Sequence, residues 1–320
     1  MRLATRTGQL RGSTGVGRAH AKAILLGEHA VLYGSPALAM PVPALTVSAR
    51  VERLADNGAT TFLLAGSSGR TPIYAVGGLR QVVRTMIRDD QRLEVVLRGD
   101  IPIGRGLGSS AASARALVLA LADLLDHDLD QRQVFDLVQI AENIAHGRAS
   151  GVDALTTGAR LPLLFENGTA GELHCGIDGV FVLADSGVAS RTRNAVALVR
   201  SIFERETGAR ERFVSKVSGL VRSAAKDFAA GDADGLGSAL TECHAVLRDL
   251  GLSTSLIDVM TEAAREAGAL GAKISGGGLG GCLIALAGDP QRAEEVGRAL
   301  RATGAVRIWC VPVGRWRHDC

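Results

Sequence analysis

The chain has 320 residues, enough for about two domains of the usual ~150 residues each and for a core that needs no disulfide staples. Apolar residues make up 47% and charged residues 22%, with a net charge of +3, which excludes a mainly disordered chain and a strongly polyanion-seeking one. Glycine is high at 40 residues, and of the 36 basic residues only Lys22, Lys216, Lys226 and Lys273 are lysines.

In chain order, Met1–His20 is polar, has no apolar stretch of the secretory-signal kind, and reads as a frayed or strand-forming lead-in. Lys22 opens an apolar strand that ends at the turn Gly27-Glu28-His29. Ala44–Arg53 alternates apolar and polar residues and reads as a strand, Asn57–Thr71 as a hairpin or exposed loop, and Arg92–Arg98 as a further strand. A glycine-rich turn over Pro102–Gly108 then feeds a helix from Ser109 to Leu125. A second helix, Gln131–Ala145, has Asp130 as its N-cap and Gly147 as its stop. A domain boundary falls between Phe165 and Gly179, where Glu166–Gly171 is turn-like, and Gly179–Ala184 is a buried strand. Four helices follow, over Asn194–Glu206, Glu211–Ala229, Gly235–Leu250 and Ser255–Ala267. The chain continues with a strand, glycine loop and strand over Gly271–Ala287, a helix over Gln291–Ala302 and a strand over Val306–Val313. Helices and strands mixed in both halves predict an α+β fold.

Other classes fall away. No apolar run reaches the ~18 residues of a membrane span. Cys175, Cys243, Cys282, Cys310 and Cys320 form no CxxC pair, so neither a disulfide framework nor a zinc site is expected, and the thiols suit a reducing cytoplasm. With Phe 7, Tyr 2 and Trp 2 and no long basic run, a nucleic-acid module lacks both its stacking platforms and its basic stripe.

Three clusters carry chemistry. Gly104, Gly106 and Gly108 alternate with single residues, follow a strand and open a helix at Ser109-Ser110-Ala111. Glycines let backbone N–H groups approach a ligand, and a helix N-terminus offers unpaired donors and positive dipole, so this reads as a phosphate cradle with the Ser110 hydroxyl in reach of a bound Mg²⁺. No lysine follows the last glycine, so it is not a Walker A loop. Lys22 stands out in a chain that otherwise uses arginine, because an ammonium in an apolar strand needs a carboxylate partner. Glu28 and His29 beside it read equally as functional groups or as a hydrogen-bonded turn. In the third cluster Glu142 and His146 share a helix face, and a Ser-Gly loop presents Asp153. Taken alone these two carboxylates fit an ordinary surface helix end better than a site; as a site they suit a metal ligand (Glu142) and a base or nucleophile-orienting group (Asp153). A supporting loop, Lys273–Cys282, holds five glycines in six positions, which implies backbone packed close against a ligand or against the first loop.

Taken together, KAILLGEHAVLYG (Lys22–Gly34), PIGRGLGSSAA (Pro102–Ala112), HGRASGVD (His146–Asp153) and KISGGGLGGC (Lys273–Cys282) resemble, in order and spacing, the motifs of the GHMP family of small-molecule kinases. The resemblance implies a two-domain α+β fold: a ribosomal-protein-like α/β sandwich with a left-handed βαβ unit over 1–172, and a ferredoxin-like domain over 173–320. It implies ATP and Mg²⁺ as cofactors. Gly104, Gly106, Leu107, Gly108, Ser109, Ser110 and Ala111 would surround the nucleotide phosphates, Ser110 and Glu142 would hold the metal, Asp153 and Lys22 would be catalytic, and Glu28 and His29 would lie on the substrate side. The first, third and glycine-loop motifs are most similar to those of members that act on mevalonate, which implies phosphorylation of its primary hydroxyl. The alternatives are phosphomevalonate or a sugar as substrate, or a sensor that binds nucleotide without chemistry. Neither nucleic acid nor membrane is expected as a partner, and a homodimer is compatible with the pattern. Arg105 stands where a small residue is more usual and reads as a charge contact to phosphate or as a solvent-facing group.

Overall fold

A computed structural model describes residues 13–55, 59–66, 69–73, 76–88 and 91–314; the lead-in before residue 13, parts of the Asn57–Thr71 segment and Cys320 lie outside them. In chain order the elements are β1 (Thr14–Leu26), a single 3₁₀ turn (Ala30–Tyr33), β2 (Ala37–Arg53), β3 (Thr61–Gly66), β4 (Gly69–Pro72), α1 (Gly77–Met86), β5 (Leu93–Gly99), α2 (Ser109–Leu125), α3 (Gln131–His146) and α4 (Val152–Thr156). They continue with β6 (Leu163–Glu166), β7 (Thr169–Glu172), β8 (Gly179–Asp185), α5 (Thr192–Arg205), α6 (Ala209–Ala230), α7 (Ala233–Asp249), α8 (Ser255–Glu266), β9 (Gly271–Ser275), β10 (Cys282–Ala287), α9 (Pro290–Ala302) and β11 (Arg307–Val313). The expected mixed α+β class is what forms.

Two units divide the chain, and both are interleaved in sequence. The first takes residues 1–21, 43–101 and 108–158; the second takes 22–42, 102–107 and 159–320. The division expected at 172/173 was continuous in sequence, whereas β1, β2 and the 102–112 loop each contribute to both units.

In the first unit, β3 pairs β4 antiparallel and β5 parallel, and β5 pairs the Val47–Arg53 length of β2 antiparallel. The long alanine-rich helix α2 buries Leu117, Leu121 and Leu124 together with seven other residues, and each buried leucine is worth about 2 kcal/mol. Strand β1 lies unusually close to that helix. A Cβ built on Gly15 or Gly17 would sit 2.2 Å from the carbonyl oxygen of Ala120 or Ala116, so only glycine lets the strand and helix backbones touch. Helix α3 begins with the expected Asp130 cap, completed as a capping box: Gln133 N–H donates to Asp130 Oδ1 (2.7 Å) and Asp130 N–H to Gln133 Oε1 (2.9 Å). Strand β2 begins at Ala37, before the expected Ala44. Its Pro41 and Pro43 fall between the length paired with β6 (Ala37–Ala39) and the length paired with β5, where a missing N–H costs no bond to either partner.

In the second unit, β8, β9, β10 and β11 form an antiparallel sheet in the order β11-β8-β10-β9. Four helices lie in sequence between β8 and β9 and one between β10 and β11. This is the split βαβ order of a ferredoxin-like domain with additional helices in its first crossover. Both β8 and β10 are buried along their whole length, which explains their continuous apolar runs. The turn-like Glu166–Gly171 segment is a β-hairpin within this unit, with Asn167 and Gly168 both at positive φ (52° and 78°), the geometry of a two-residue hairpin turn. No helix among the described residues is long and apolar enough to cross a membrane.

Candidate active site

The first glycine loop is built to leave donors open. Gly104, Gly106 and Gly108 have φ of 69°, 80° and 73°. Gly108 serves as the N-cap of α2 and supplies no side-chain hydrogen bond to the first-turn N–H groups, whereas α3, α7, α8 and α9 are capped by Asp130, Asp232, Thr254 and Asp289. Four orphan N–H groups and the positive end of a 17-residue helix are thus left for an anion. Ser109 and Ser110, both half-buried, are the first two residues of that helix.

Within the second unit the Pro102–Leu107 part of this loop is clasped by the second glycine loop. A Cβ on Gly106 would lie 2.7 Å from Ser275 O, and one on Gly276 would lie 2.7 Å from the Cα of Gly106. Cys282 N–H donates to Arg105 O (3.1 Å) and Ser190 N–H to Gly104 O (2.8 Å). Of the five glycines in the Lys273–Cys282 segment, Gly276 and Gly281 close on the first loop, one of the two alternatives its sequence left, while Gly277, Gly278 and Gly280 close on Thr192, Leu252 and Ala189. Arg105 neither faces solvent nor is left to contact phosphate with a free charge. Its Nε lies 3.0 Å from Asp185 Oδ1 and its Nη2 donates to Gly187 O (2.9 Å), tying the loop to the end of β8.

Lys22 lies deep in β1 rather than at its start and is 2% exposed. Its Nζ donates to Gly106 O (3.2 Å) and its N–H to Leu107 O (3.2 Å), so this lysine is fixed to the glycine loop. Glu28 and His29, at the turn after β1, are buried as well. The Glu28 carboxylate pairs through Oε1 with the ammonium of Lys273, which is itself wholly buried on β9. His29 has φ of 59°, a strained value for a non-glycine residue, and its Nε2 lies 3.0 Å from Gly277 O. A carbonyl only accepts, so Nε2 carries the proton. Burial holds this ring neutral, its pKa lowered to about 4. The turn is hydrogen-bonded, one of the two alternatives left by its sequence, and it also holds a buried carboxylate.

In the first unit, Glu142 on α3 is 2% exposed, which sets it apart from an ordinary surface helix end. Its Oε2 lies 3.8 Å from Nε2 of His146, the predicted partner one turn on. Asp153 is half-buried and stands in the first turn of the short helix α4, not in a loop; its backbone carbonyl accepts from Thr157 N–H (3.1 Å) and the Thr157 hydroxyl (3.0 Å). The first unit thus holds Gly108, Ser109, Ser110, Ala111, Glu142 and Asp153. The second holds Lys22, Glu28, His29, Gly104, Gly106 and Leu107. No group of three or more His, Cys, Asp or Glu suited to a metal occurs among the described residues. Lys273 and Asp185 joined the site without being read as functional in the sequence; the scarcity of lysine was the available signal for the first, and nothing signalled the second.

Comparison with known proteins places the chain beside a set of relatives. The family model for the GHMP kinases N terminal domain matches residues 74–158, and that for the GHMP kinases C terminal matches residues 224–306. A relative named mevalonate kinase from Pyrococcus furiosus is 31% identical, covering 90% of this chain and 93% of its own. The crystal structure of mevalonate kinase from methicillin-resistant Staphylococcus aureus is 29% identical, covers 93% of this chain and 98% of its own, and superposes with a TM-score of 0.71. That of L. major mevalonate kinase in complex with R-mevalonate shares the fold at 22% identity and a TM-score of 0.78, over 96% of this chain and 98% of its own. Matched by both domain models in order, and by a relative above 30% identity across nine-tenths of its length, the chain belongs to the GHMP kinase family.

Proposed function

We propose that the chain catalyses phosphoryl transfer from ATP to the primary hydroxyl of mevalonate, giving ADP and 5-phosphomevalonate. The observation that carries this is the alignment over 90% of the chain with a relative named for that activity, at 31% identity. The bond from the substrate hydroxyl oxygen to the γ-phosphorus forms, the bond from that phosphorus to the bridging oxygen of ADP breaks, and the hydroxyl proton departs to a base.

Phosphoryl transfer asks a protein mainly for positioning and charge neutralisation. The loop from Gly104 to Ala111, with the uncapped N-terminus of α2, receives the ATP phosphates. Asp153 takes or orients the hydroxyl proton, and Lys22 steadies the charge on the transferring group; both roles follow from their matches to the family's motifs. Glu28 and His29 serve the substrate side. Ser110 and Glu142 would hold Mg²⁺: a hydroxyl and a carboxylate are hard oxygen donors, and Mg²⁺ needs only one or two protein ligands when phosphates and water complete its shell. When bound, the ion neutralises charge on the β- and γ-phosphates. The free thiols of Cys243 and Cys282 support a cytoplasmic setting.

ADP release measured with mevalonate, phosphomevalonate and galactose in parallel tests this reading. Mevalonate is expected to give by far the largest kcat/KM; a larger value with either of the others would reassign the substrate.

A further inference from the structure

Glu28 presents a chemical imbalance. It is 3% exposed, its Oε1 is paired with the Lys273 ammonium, and its Oε2 is buried with no hydrogen-bond partner among the described residues. A buried carboxylate oxygen left unsatisfied is costly, and such an atom in a kinase's substrate-side motif is one that a ligand satisfies. Lys273 is equally committed. It is wholly buried, and besides Glu28 it donates to Ile274 O (2.6 Å), so its ammonium is held by a backbone carbonyl as well as by the carboxylate. We infer that Lys273 is a positioning residue for the reaction: it keeps Glu28 ionised and turns one carboxylate oxygen into a preset acceptor for a substrate hydroxyl.

The charged and titratable groups around Glu28 come from four places. Lys273 is on β9 and Lys22 on β1; Cys243 and His244 are on α7, and His29 is the next residue. Burial pushes the Glu28 carboxyl upward and outweighs the pull of Lys273 and Lys22. Cys243 is kept a thiol by burial, its pKa raised to about 12, and burial also lowers the pKa values of His29 and His244, favouring their neutral forms. The two lysines are therefore the cations that oppose protonation of Glu28. Without Lys273 the largest of these pulls is gone, the carboxyl holds a proton more readily, and its acceptor becomes a donor.

The inference rests on the reading of Glu28 as a substrate-side residue, and one set of variants separates the two. Steady-state constants for mevalonate and ATP are measured from pH 6 to pH 9 in Lys273→Met, Glu28→Gln and the double variant. In Lys273→Met, KM for mevalonate is expected to rise at least tenfold at pH 7 with KM for ATP within twofold, and to recover as rising pH ionises Glu28. Glu28→Gln is expected to show the same rise with no such recovery. The double variant replaces a buried ion pair by two neutral side chains, a change that folds readily, and is expected to be no worse than Glu28→Gln. A Lys273→Met loss equal at every pH, or one that multiplies with that of Glu28→Gln, would overturn the inference and leave Lys273 a structural residue. An unchanged mevalonate KM in Glu28→Gln, or in the double variant if the single does not fold, would instead overturn the substrate-side reading.

Discussion

His29 is a base that the fold keeps from acting as one near neutrality. With its pKa lowered to about 4 from 6.5, the folded chain refuses a proton that the unfolded chain accepts. No stability is lost above pH 6.5; it is lost as pH falls from there toward 4, to a limit of about 3 kcal/mol. His29→Gln keeps an N–H donor for Gly277 O and removes the titration. Urea unfolding at pH 7 and pH 4.5 is expected to show the wild-type chain losing about 2.5 kcal/mol more than this variant. Equal losses would mean that His29 is protonated in the fold. At this scale the sequence was informative where composition isolated a residue. Lys22 stood out because lysine is rare, and it is buried against the glycine loop. Lys273 was equally rare but was not read as functional, because its partner Glu28 lies 245 positions away and no local pattern joins them.

Among the elements, the two glycine loops behave as one clasp, and their glycines are not equivalent. Gly104 has positive φ and open space beyond it, so Gly104→Ala meets only backbone strain, about 1 kcal/mol. Gly106→Ala adds a methyl 2.7 Å from Ser275 O and must push the loops apart. ATP titrations are expected to show at least a tenfold rise in KM for Gly106→Ala and less than threefold for Gly104→Ala; equal effects would deny the clasp. The legible elements were those with their own punctuation. Helix α3 has its Asp130 cap, and α2 follows a glycine turn. Helix α1 escaped notice because it opens on Gly77-Gly78 behind Val76, with no capping side chain. The front of β1 reads as either frayed or strand-forming for a different reason: Gly15 and Gly17 occupy positions where a strand usually shows apolar residues, since α2 leaves no room for a side chain. Part of the glycine surplus is thus close packing of backbone on backbone, and part lies in the loop proposed to receive the phosphates.

Across the whole molecule, the order of strands and helices sufficed for the α+β class, and the family's motifs for the ferredoxin-like second half. The interleaving of the two units was not legible, because it follows from long-range pairings such as Ala37 with Phe165, which local periodicity does not encode. Relatives named mevalonate kinase align over about nine-tenths of the chain, so the activity belongs to the full chain rather than to one unit. The most direct measurement is mevalonate-dependent ADP release by the wild-type chain and by Asp153→Ala, with ATP affinity determined separately. Removing a base in phosphoryl transfer is expected to lower kcat by about 10²- to 10⁴-fold while leaving ATP affinity within about threefold. A variant that turns over mevalonate at nearly the wild-type rate would contradict the assignment of Asp153 and the mechanism built on it.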